Sequence, residues 1–528
     1  MFPSAPYAAA FGLGLIIFLL RYLSQRSRIL PPGPRGIPFL GNALQLGDHP
    51  KTKLWTTFGK WGREFGSLVY LNLAGQDVVV LNNRATATEL LYRRSVIYSD
   101  RPKSVVLEYL GAPLTLFLTC YGKKLQAMRR KTQSVLNAQI SKEYCHVQAD
   151  EATLLVYNLL SLSSSKSETD ANTQSMMNIF ERSTASAIVS IIYGFPSLSL
   201  SDPVLSTLNY IAARFTHAAL PGSFFVELLP ALDWIPSWTG MAKWKSDAKR
   251  DRKMIDETFT EYYKHATENH EQKTNVCSKF AELGHGSESD KENAWLAGML
   301  YLAGAETTTI ALSWLIYSMT LFPEVQARGQ EEIDRVVGRD RLPNFGDMGE
   351  LVYVQAMVKE ILRWQPVIPL ALPHRLMEDD WYEGYLIPKG ASCMPNIQDI
   401  NRDLETYGPD ASEFRPERFI DYSDRCAPKI RDGLGGPEGH YTFGFGRRIC
   451  PGLNVANNAL FIDTCMILWA LNVEPEPTLG PGVMKIDIMN HPPHFGCKWI
   501  PRFPDTESML RDMQVDILNA RHRNGSGS

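Results

Sequence analysis

The 528 residues predict a mainly α-helical body with a small β-sheet, held behind a single N-terminal membrane helix. Three observations carry that prediction. Apolar residues recur at helical period over 124–160, 176–194, 244–270, 292–322, 351–365 and 453–471. One alternating run, "GSLVYLNLAGQDVVVLN" at 66–82, predicts two strands with a turn near Gly75. The first twenty residues carry no charged side chain, and "AAAFGLGLIIFLLRYL" begins at Ala8. No internal repeat is visible and no Gly/Ser linker divides residues 40–505, so one domain over 41–505 and a polar tail at 506–528 complete the chain.

Taken in order, the apolar run at 5–23 is close to the ~20 residues that cross a bilayer. Arg21, Arg26, Arg28 and Arg35 follow, and the first acidic residue is Asp48. Positive charge gathers on the cytoplasmic side, which places the start in the lumen and the body in the cytosol. A cleaved signal peptide is the alternative, but the basic n-region and a small-residue cleavage site are missing, so 1–23 is expected to stay as an anchor. Pro31, Pro32 and Pro34 in "LPPGPRGIPFLGN" then impose a stiff, extended hinge within 24–40. The Ser-rich stretch 161–174 and the polar stretch 278–293 predict exposed loops. The stretch 292–322 predicts a helix of about 31 residues, ~46 Å long, stopped by Pro323. A second membrane span is its alternative reading. Gly304, Glu306, Thr307, Thr308 and Thr309 lie at its midpoint, where an ion is expensive in lipid, which favours a buried central helix with a site at its middle.

Net charge is −3, from 54 basic and 57 acidic residues, with no basic stripe, so nucleic acid is not an expected partner. Eight cysteines stand at 120, 145, 277, 393, 426, 450, 465 and 497. No C-x-x-C pair occurs, which argues against a zinc knuckle and fits a reduced compartment. Only Cys450 has unusual neighbours, in "FGFGRRICPG" at 443–452. A cysteine becomes a strong ligand as thiolate, which positive charge and backbone N–H groups stabilise. Glycines let those N–H groups and a flat cofactor come close, and a thiolate on haem iron favours O–O cleavage. An incidental buried cysteine in a glycine-rich loop is the bland alternative.

These ten residues resemble the cysteine loop of the cytochrome P-450 haem-thiolate monooxygenases, F-x-x-G-x-R-x-C-x-G, with Phe443, Gly446, Arg448, Cys450 and Gly452 at every fixed position. The resemblance implies a cytochrome P-450 fold around a buried haem b. Cys450 would be the axial iron ligand, Arg448 would meet a propionate, and Phe443 would pack by the sulfur. "EILR" supplies Glu360 and Arg363, and "FRPERF" supplies Arg418; in the family such residues form a buried charge cluster. "AGAETT" at 303–308 is similar to the family's oxygen-activation pattern, with Glu306 and Thr307 as the acid–alcohol pair that moves protons. Kinking and capping the long helix is the alternative role. "YSDRP" at 98–102 and "IPKG" at 387–390 look like family turns, and His374 in "LPHR" stands at a propionate-contact position. "LQAMR" keeps the propionate arginine, Arg129, but has Leu125 where the family has tryptophan, which removes one N–H donor.

The resemblance further implies a monooxygenase of the endoplasmic-reticulum membrane that uses O2 and electrons from NADPH through a flavoprotein reductase. Arg129, Arg130, Lys131 and Arg447 would offer that reductase a basic face, with an ordinary solvated face as the alternative. By the same likeness substrate contacts fall in 103–120, 205–240 and 366–373, which are apolar and nearly uncharged. A neutral hydrophobic small molecule fits them. The style is similar to microsomal enzymes of fungal secondary metabolism, which points to a terpenoid or polyketide-like intermediate. An isomerase or dehydratase working without a reductase, and a haem-binding sensor without turnover, are the remaining alternatives.

Overall fold

Alternation in the sequence sets the sheet. The computed structural model describes residues 29–46, 53–163, 169–196, 199, 201–220, 222–268, 274–284, 287–424, 427–476 and 488–525; the expected anchor at 1–23 and hinge residues 24–28 lie outside these. Strands β1 (Leu68–Leu73) and β2 (Gln76–Leu81) pair antiparallel, with Leu73 opposite Gln76. Ala74 (φ +51°) and Gly75 (φ +94°) make the turn, a backbone conformation that glycine adopts without Cβ penalty. The hinge runs beside β1: the Pro32 carbonyl accepts from the Tyr70 N–H at 2.9 Å, a pairing that asks nothing of proline's missing donor. Strands β3 (His374–Arg375) and β4 (Ser392–Pro395) complete the sheet in the order β1-β2-β4-β3, β4 running parallel to β2. A separate hairpin joins β5 (Leu471–Glu476) to β6 (Gly496–Pro501).

The main helices are α1 (Leu54–Phe65), α2 (Val105–Leu110), α3 (Lys123–Leu136), α4 (Cys145–Ser163), α5 (Thr169–Tyr193), α6 (Pro203–Ala219), α7 (Lys243–Glu268), α8 (Ser287–Leu321), α9 (Pro323–Val336), α10 (Val352–Trp364), α11 (Leu453–Ala470) and α12 (Thr506–Gly525). Helices α4, α5, α8 and α11 pack on one another around a core that includes Phe180, Leu315, Trp469 and Trp499. Two described helices, Ser289–Leu321 within α8 and α11, are long and apolar enough to cross a membrane, and both are mostly buried inside the fold. Hence the 292–322 stretch is a central core helix.

Three local expectations change. The single helical stretch at 124–160 is broken, because the Asn137 side chain accepts from Gln139 N and Ile140 N and starts a new turn. The loop expected at 161–174 is shorter, since α4 runs to Ser163 and α5 starts at Thr169. Within 278–293, Val276–Glu282 is a helix and α8 already begins at Ser287. Asn275 caps the first of these by accepting from Ser278 N, and Val276, Cys277 and Phe280 give it a fully buried face. The polar tail 506–525 is α12, which lies against α4.

Candidate active site

Around the middle of α8, Tyr301, Ala305 and Thr308–Ile310 are buried, whereas Ala303 is exposed and Leu302, Gly304, Glu306 and Thr307 are half-buried. Ala303 and Thr307 lie four apart on one face of the helix, the face that is least covered there. Thr307 Oγ1 donates to the Ala303 carbonyl at 2.7 Å, and Thr308 and Thr309 make the same bond to Gly304 and Ala305 at 2.8 and 3.1 Å. Three successive carbonyls are thus held by hydroxyls, which loosens the backbone ladder at that turn.

The cysteine loop enters α11. Cys450 N donates to the Phe443 carbonyl at 2.8 Å, closing the loop. Gly446 has φ +49°, and a Cβ there would lie 2.5 Å from the Leu91 carbonyl oxygen, so no side chain fits. At Gly452 a Cβ would meet only Cys450 Sγ, at 3.9 Å. Burial pushes the Cys450 thiol up, while the Gly452 N–H and the Arg129 charge pull it back. Phe443 is half-buried, its ring 5.6 Å from the His440 ring.

Beside this loop three guanidiniums crowd together. Arg448 donates to the carbonyls of Ser99 (2.8 Å) and Thr119 (2.6 Å), and Arg129 to that of Ile449 (2.9 Å). Arg101 donates to Phe117 O at 2.9 Å and to Leu372 O and Pro373 O at 2.7 Å each. All of these acceptors are neutral. Burial, then Arg448, pushes Arg101 well below the arginine range, with Asp100 pulling back and Arg129 adding a smaller push. Burial and Arg129 bring Arg448 down to about 10. A guanidinium keeps its proton in a protein, so this crowding amounts to a demand for negative charge. Asp100 does not meet it alone, since its carboxylate also serves Tyr121 N (2.8 Å) and Arg375 (3.3 Å). His374 lies in the same place. Its Nδ1 donates to the Tyr98 carbonyl at 2.8 Å, and burial, with Arg101, lowers its pKa to about 3. A dianionic cofactor edge fits this set, and the two propionates of a haem would supply that charge.

The expected charge cluster is assembled on α10. Glu360 accepts from Arg363 Nε (2.6 Å) and Nη2 (2.8 Å), Arg418 Nε (3.1 Å) and Arg415 N (2.7 Å), with Glu360 and Arg363 at 0% exposure. It reaches the cysteine loop through Asn401. Arg363 donates to Asn401 O (2.7 Å), while Asn401 accepts from Tyr441 N (2.9 Å) and donates to Thr442 Oγ1 (3.0 Å).

Arg101 was not among the residues expected from sequence. Its only signal was a basic residue in "YSDRP", which reads as a turn until the fold brings residues 372 and 373 against it. Leu125 is 1% exposed and packs in the apolar cluster of α3. The basic face is narrower than expected: Arg130 and Arg447 are exposed, Arg129 turns inward, and Lys131 donates to Asn293 at 2.6 Å.

The family model for cytochrome P450 matches residues 31–499. A cytochrome P450 monooxygenase of Armillaria gallica is 41% identical over 505 residues, covering 93% of each chain. Cytochrome P450 monooxygenase 58 of Postia placenta is 40% identical over 519 residues, covering 96% of this chain and 95% of its own. Cytochrome P450 monooxygenase iboC of Amanita muscaria is 33% identical over 541 residues, covering 92% and 93%. With a loop that presents one cysteine beside a buried demand for negative charge, and with matches spanning the whole body, the chain belongs to the cytochrome P450 monooxygenase family.

Proposed function

We propose that this chain is a membrane-anchored monooxygenase that inserts one atom of O2 into a neutral, hydrophobic small molecule of the terpenoid or polyketide-like kind, drawing electrons from NADPH through a flavoprotein reductase. The observation that carries the reading is the convergence of Arg101, Arg129 and Arg448 on the cysteine loop, with Asp100 as the charge that Arg101 and Arg448 share and Cys450 as the group that faces Arg129. Haem held by Cys450 supplies the oxygen-activating chemistry. Arg101, Arg129, Arg448 and His374 hold its edge. Gly446 lets the loop fold back on Leu91, and the Glu360–Arg363–Arg418 cluster braces it from behind. Glu306 and Thr307 hold and move protons at the carboxyl and Oγ1, and Ala303 leaves room beside them.

Membrane attachment is supported by where apolar surface gathers. Ile37, Phe39, Leu40 and Leu44 of the hinge side are exposed, as are Phe225, Leu229, Trp234 (90%) and Trp238 (84%). Gln76 Nε2 donates to the Glu227 carbonyl at 3.1 Å and Gly41 pairs with Leu73, which brings the two groups to one side of the β1–β2 hairpin. Exposed tryptophans suit a membrane–water interface, and the end of the hinge leads to the same side. The relatives named above include enzymes of fungi, and a fungal secondary-metabolite intermediate is the substrate class we infer from that kinship.

Spectra and turnover test this together. Reduced, CO-bound protein is expected to show the red-shifted Soret band of thiolate ligation, and NADPH with added reductase is expected to drive O2 uptake with a hydrophobic substrate. Cys450→Ala is expected to lose both; survival of pigment and turnover in that variant overturns the reading.

A further inference from the structure

Helix α8 has a second polar side, facing away from Ala303 and Thr307. Thr308 there joins Gln148 and Glu151 of α4, Ser183 of α5 and Asp463 of α11 around a small, partly open cavity, with Thr184, Ala187, Ile188 and Ala459 completing its wall. Space for the centre of a water molecule amounts to ≈ 10 Å³, about that of a single water. Among the described residues, two buried polar groups face this space without hydrogen-bond partners. Gln148 is 2% exposed; its Nε2 donates to the Val455 carbonyl at 2.8 Å, but its Oε1 accepts nothing. Asp463 is 6% exposed, and its carboxyl makes no hydrogen bond among the described residues. Neither is explained by packing, because a buried polar atom left unpaired costs about 1–3 kcal/mol.

The lining also shows what is missing. Thr308 Oγ1 has spent its proton on the Gly304 carbonyl (2.8 Å) and Ser183 Oγ has spent its own on the Glu151 carbonyl (3.2 Å). Each keeps only acceptor capacity. Both Glu151 carboxylate oxygens are engaged, accepting from Arg182 (2.9 Å), Ser186 (2.6 Å) and Arg521 (2.7 Å). The cavity therefore offers acceptors and lacks donors.

We propose that this cavity is a binding site for one water molecule and one exchangeable proton, the water donating to Gln148 Oε1 and a lining hydroxyl and accepting from a protonated Asp463 carboxyl. A second part follows from α12. Arg521, 13% exposed in its side chain, reaches the site from the far end of the chain by pairing with Glu151 at 2.7 Å. The charges around Asp463 are Glu151 with its neighbour Asp150 on α4, Arg182 on α5 and Arg521 on α12; α8 contributes the Thr308 hydroxyl, and Cys465 lies two residues on along α11. Burial, and then the Glu151 charge, lifts the Asp463 carboxyl to about 8. The site thus holds its proton at neutral pH and releases it in mildly alkaline solution. Arg521 offsets the Glu151 charge, so the C-terminal helix sets how tightly that proton is held.

Infrared difference spectra of the purified, cofactor-loaded full chain test this. Wild type at pH 6 is expected to show a protonated-carboxyl C=O band that shifts in D2O, fades with a midpoint near 8 and is missing from Asp463→Asn. Arg521→Gln is expected to move that midpoint upward by at least ~0.5 pH unit, as a less compensated neighbouring carboxylate must. No such band in wild type at pH 6, or one that persists in Asp463→Asn, overturns the site. A midpoint unmoved in Arg521→Gln overturns the coupling to α12. A band that sodium or ammonium titrates away at fixed pH makes the occupant a cation and overturns the proposal. Should Asp463→Asn fail to fold, the wild-type pH and D2O titrations with Arg521→Gln still decide it.

Discussion

Glu360→Gln isolates the charge that braces the cysteine loop, because it keeps the side-chain volume and one acceptor oxygen while removing the negative charge. The wild-type carboxylate accepts four hydrogen bonds of 2.6–3.1 Å, three of them from guanidiniums. Arg363 and Arg418, at 0% and 4% exposure, cannot turn to water when that charge goes. Their remaining acceptors include the backbone carbonyls of Asn401, Ala411, Glu413, Tyr407 and Asp410. The glutamine amide also points an N–H₂ at donors. Breaking a buried ion pair on one side costs about 3–5 kcal/mol, equivalent to roughly two to three and a half orders of magnitude in an opening equilibrium. Native-state amide exchange reads that quantity locally. Exchange over 352–364, 401–418 and 441–450 is expected to accelerate by about that factor, the last segment being reached through Asn401 and Thr442. Arg415→Ala is the control, since its guanidinium is half-exposed and pairs with Asp410 at the surface, worth about 1 kcal/mol or less. Exchange in Glu360→Gln no faster than in Arg415→Ala refutes the bracing role.

Gly446→Ala is expected to prevent assembly of the thiolate-ligated form, because its Cβ meets the Leu91 carbonyl at 2.5 Å, whereas Gly452→Ala, with only a 3.9 Å contact in this chain, is expected to leave the fold within about 1 kcal/mol of wild type by denaturant titration. In cofactor-free protein, His374 is held near 3 against an ordinary value of 6.5, so its share of stability is present above 6.5 and drains away as pH falls from 6.5 towards 3. His374→Asn is expected to flatten that limb by up to about 1.4 kcal/mol per pH unit, and an unchanged slope refutes the assignment. Trp234→Ser with Trp238→Ser is expected to weaken binding to neutral phospholipid vesicles by at least about tenfold, measured by co-sedimentation; equal binding refutes the interfacial role of those two rings.

What could be read from the chain before folding was what depends on local spacing. The cysteine loop, the α8 midpoint and the α10 pair are each written within ten residues, and the structure places their members together. The helices from Lys243, Val352 and Leu453 start and stop within about two residues of their apolar periods, which is ordinary scatter. Breaks were less legible. Asn137 and Asn275 interrupt or restart helices through a side chain that competes with the backbone, an effect smaller than the periodic signal around it.

Least legible was the electrostatic sense of a buried charge, and two carboxylates make the reason plain. Glu360 and Asp463 both sit in buried helices, at 0% and 6% exposure; Glu360 has Lys359 and Arg363 within one turn of it, whereas Asp463 is the one charged residue of α11, and in neither case do these neighbours give the partners the fold brings from far away. Glu360 meets Arg418, 58 residues away, and the Arg415 N–H, 55 away, besides Arg363 one turn on. Asp463 meets another acid, Glu151, from a helix about three hundred residues earlier, and no hydrogen-bond donor among the described residues. Similar burial therefore builds a brace in one helix and a proton site in the other. Arg101 follows the same rule with the sign reversed: among carboxylates it would be one more surface ion, and among Arg129 and Arg448 it becomes part of a demand that only a bound anion satisfies.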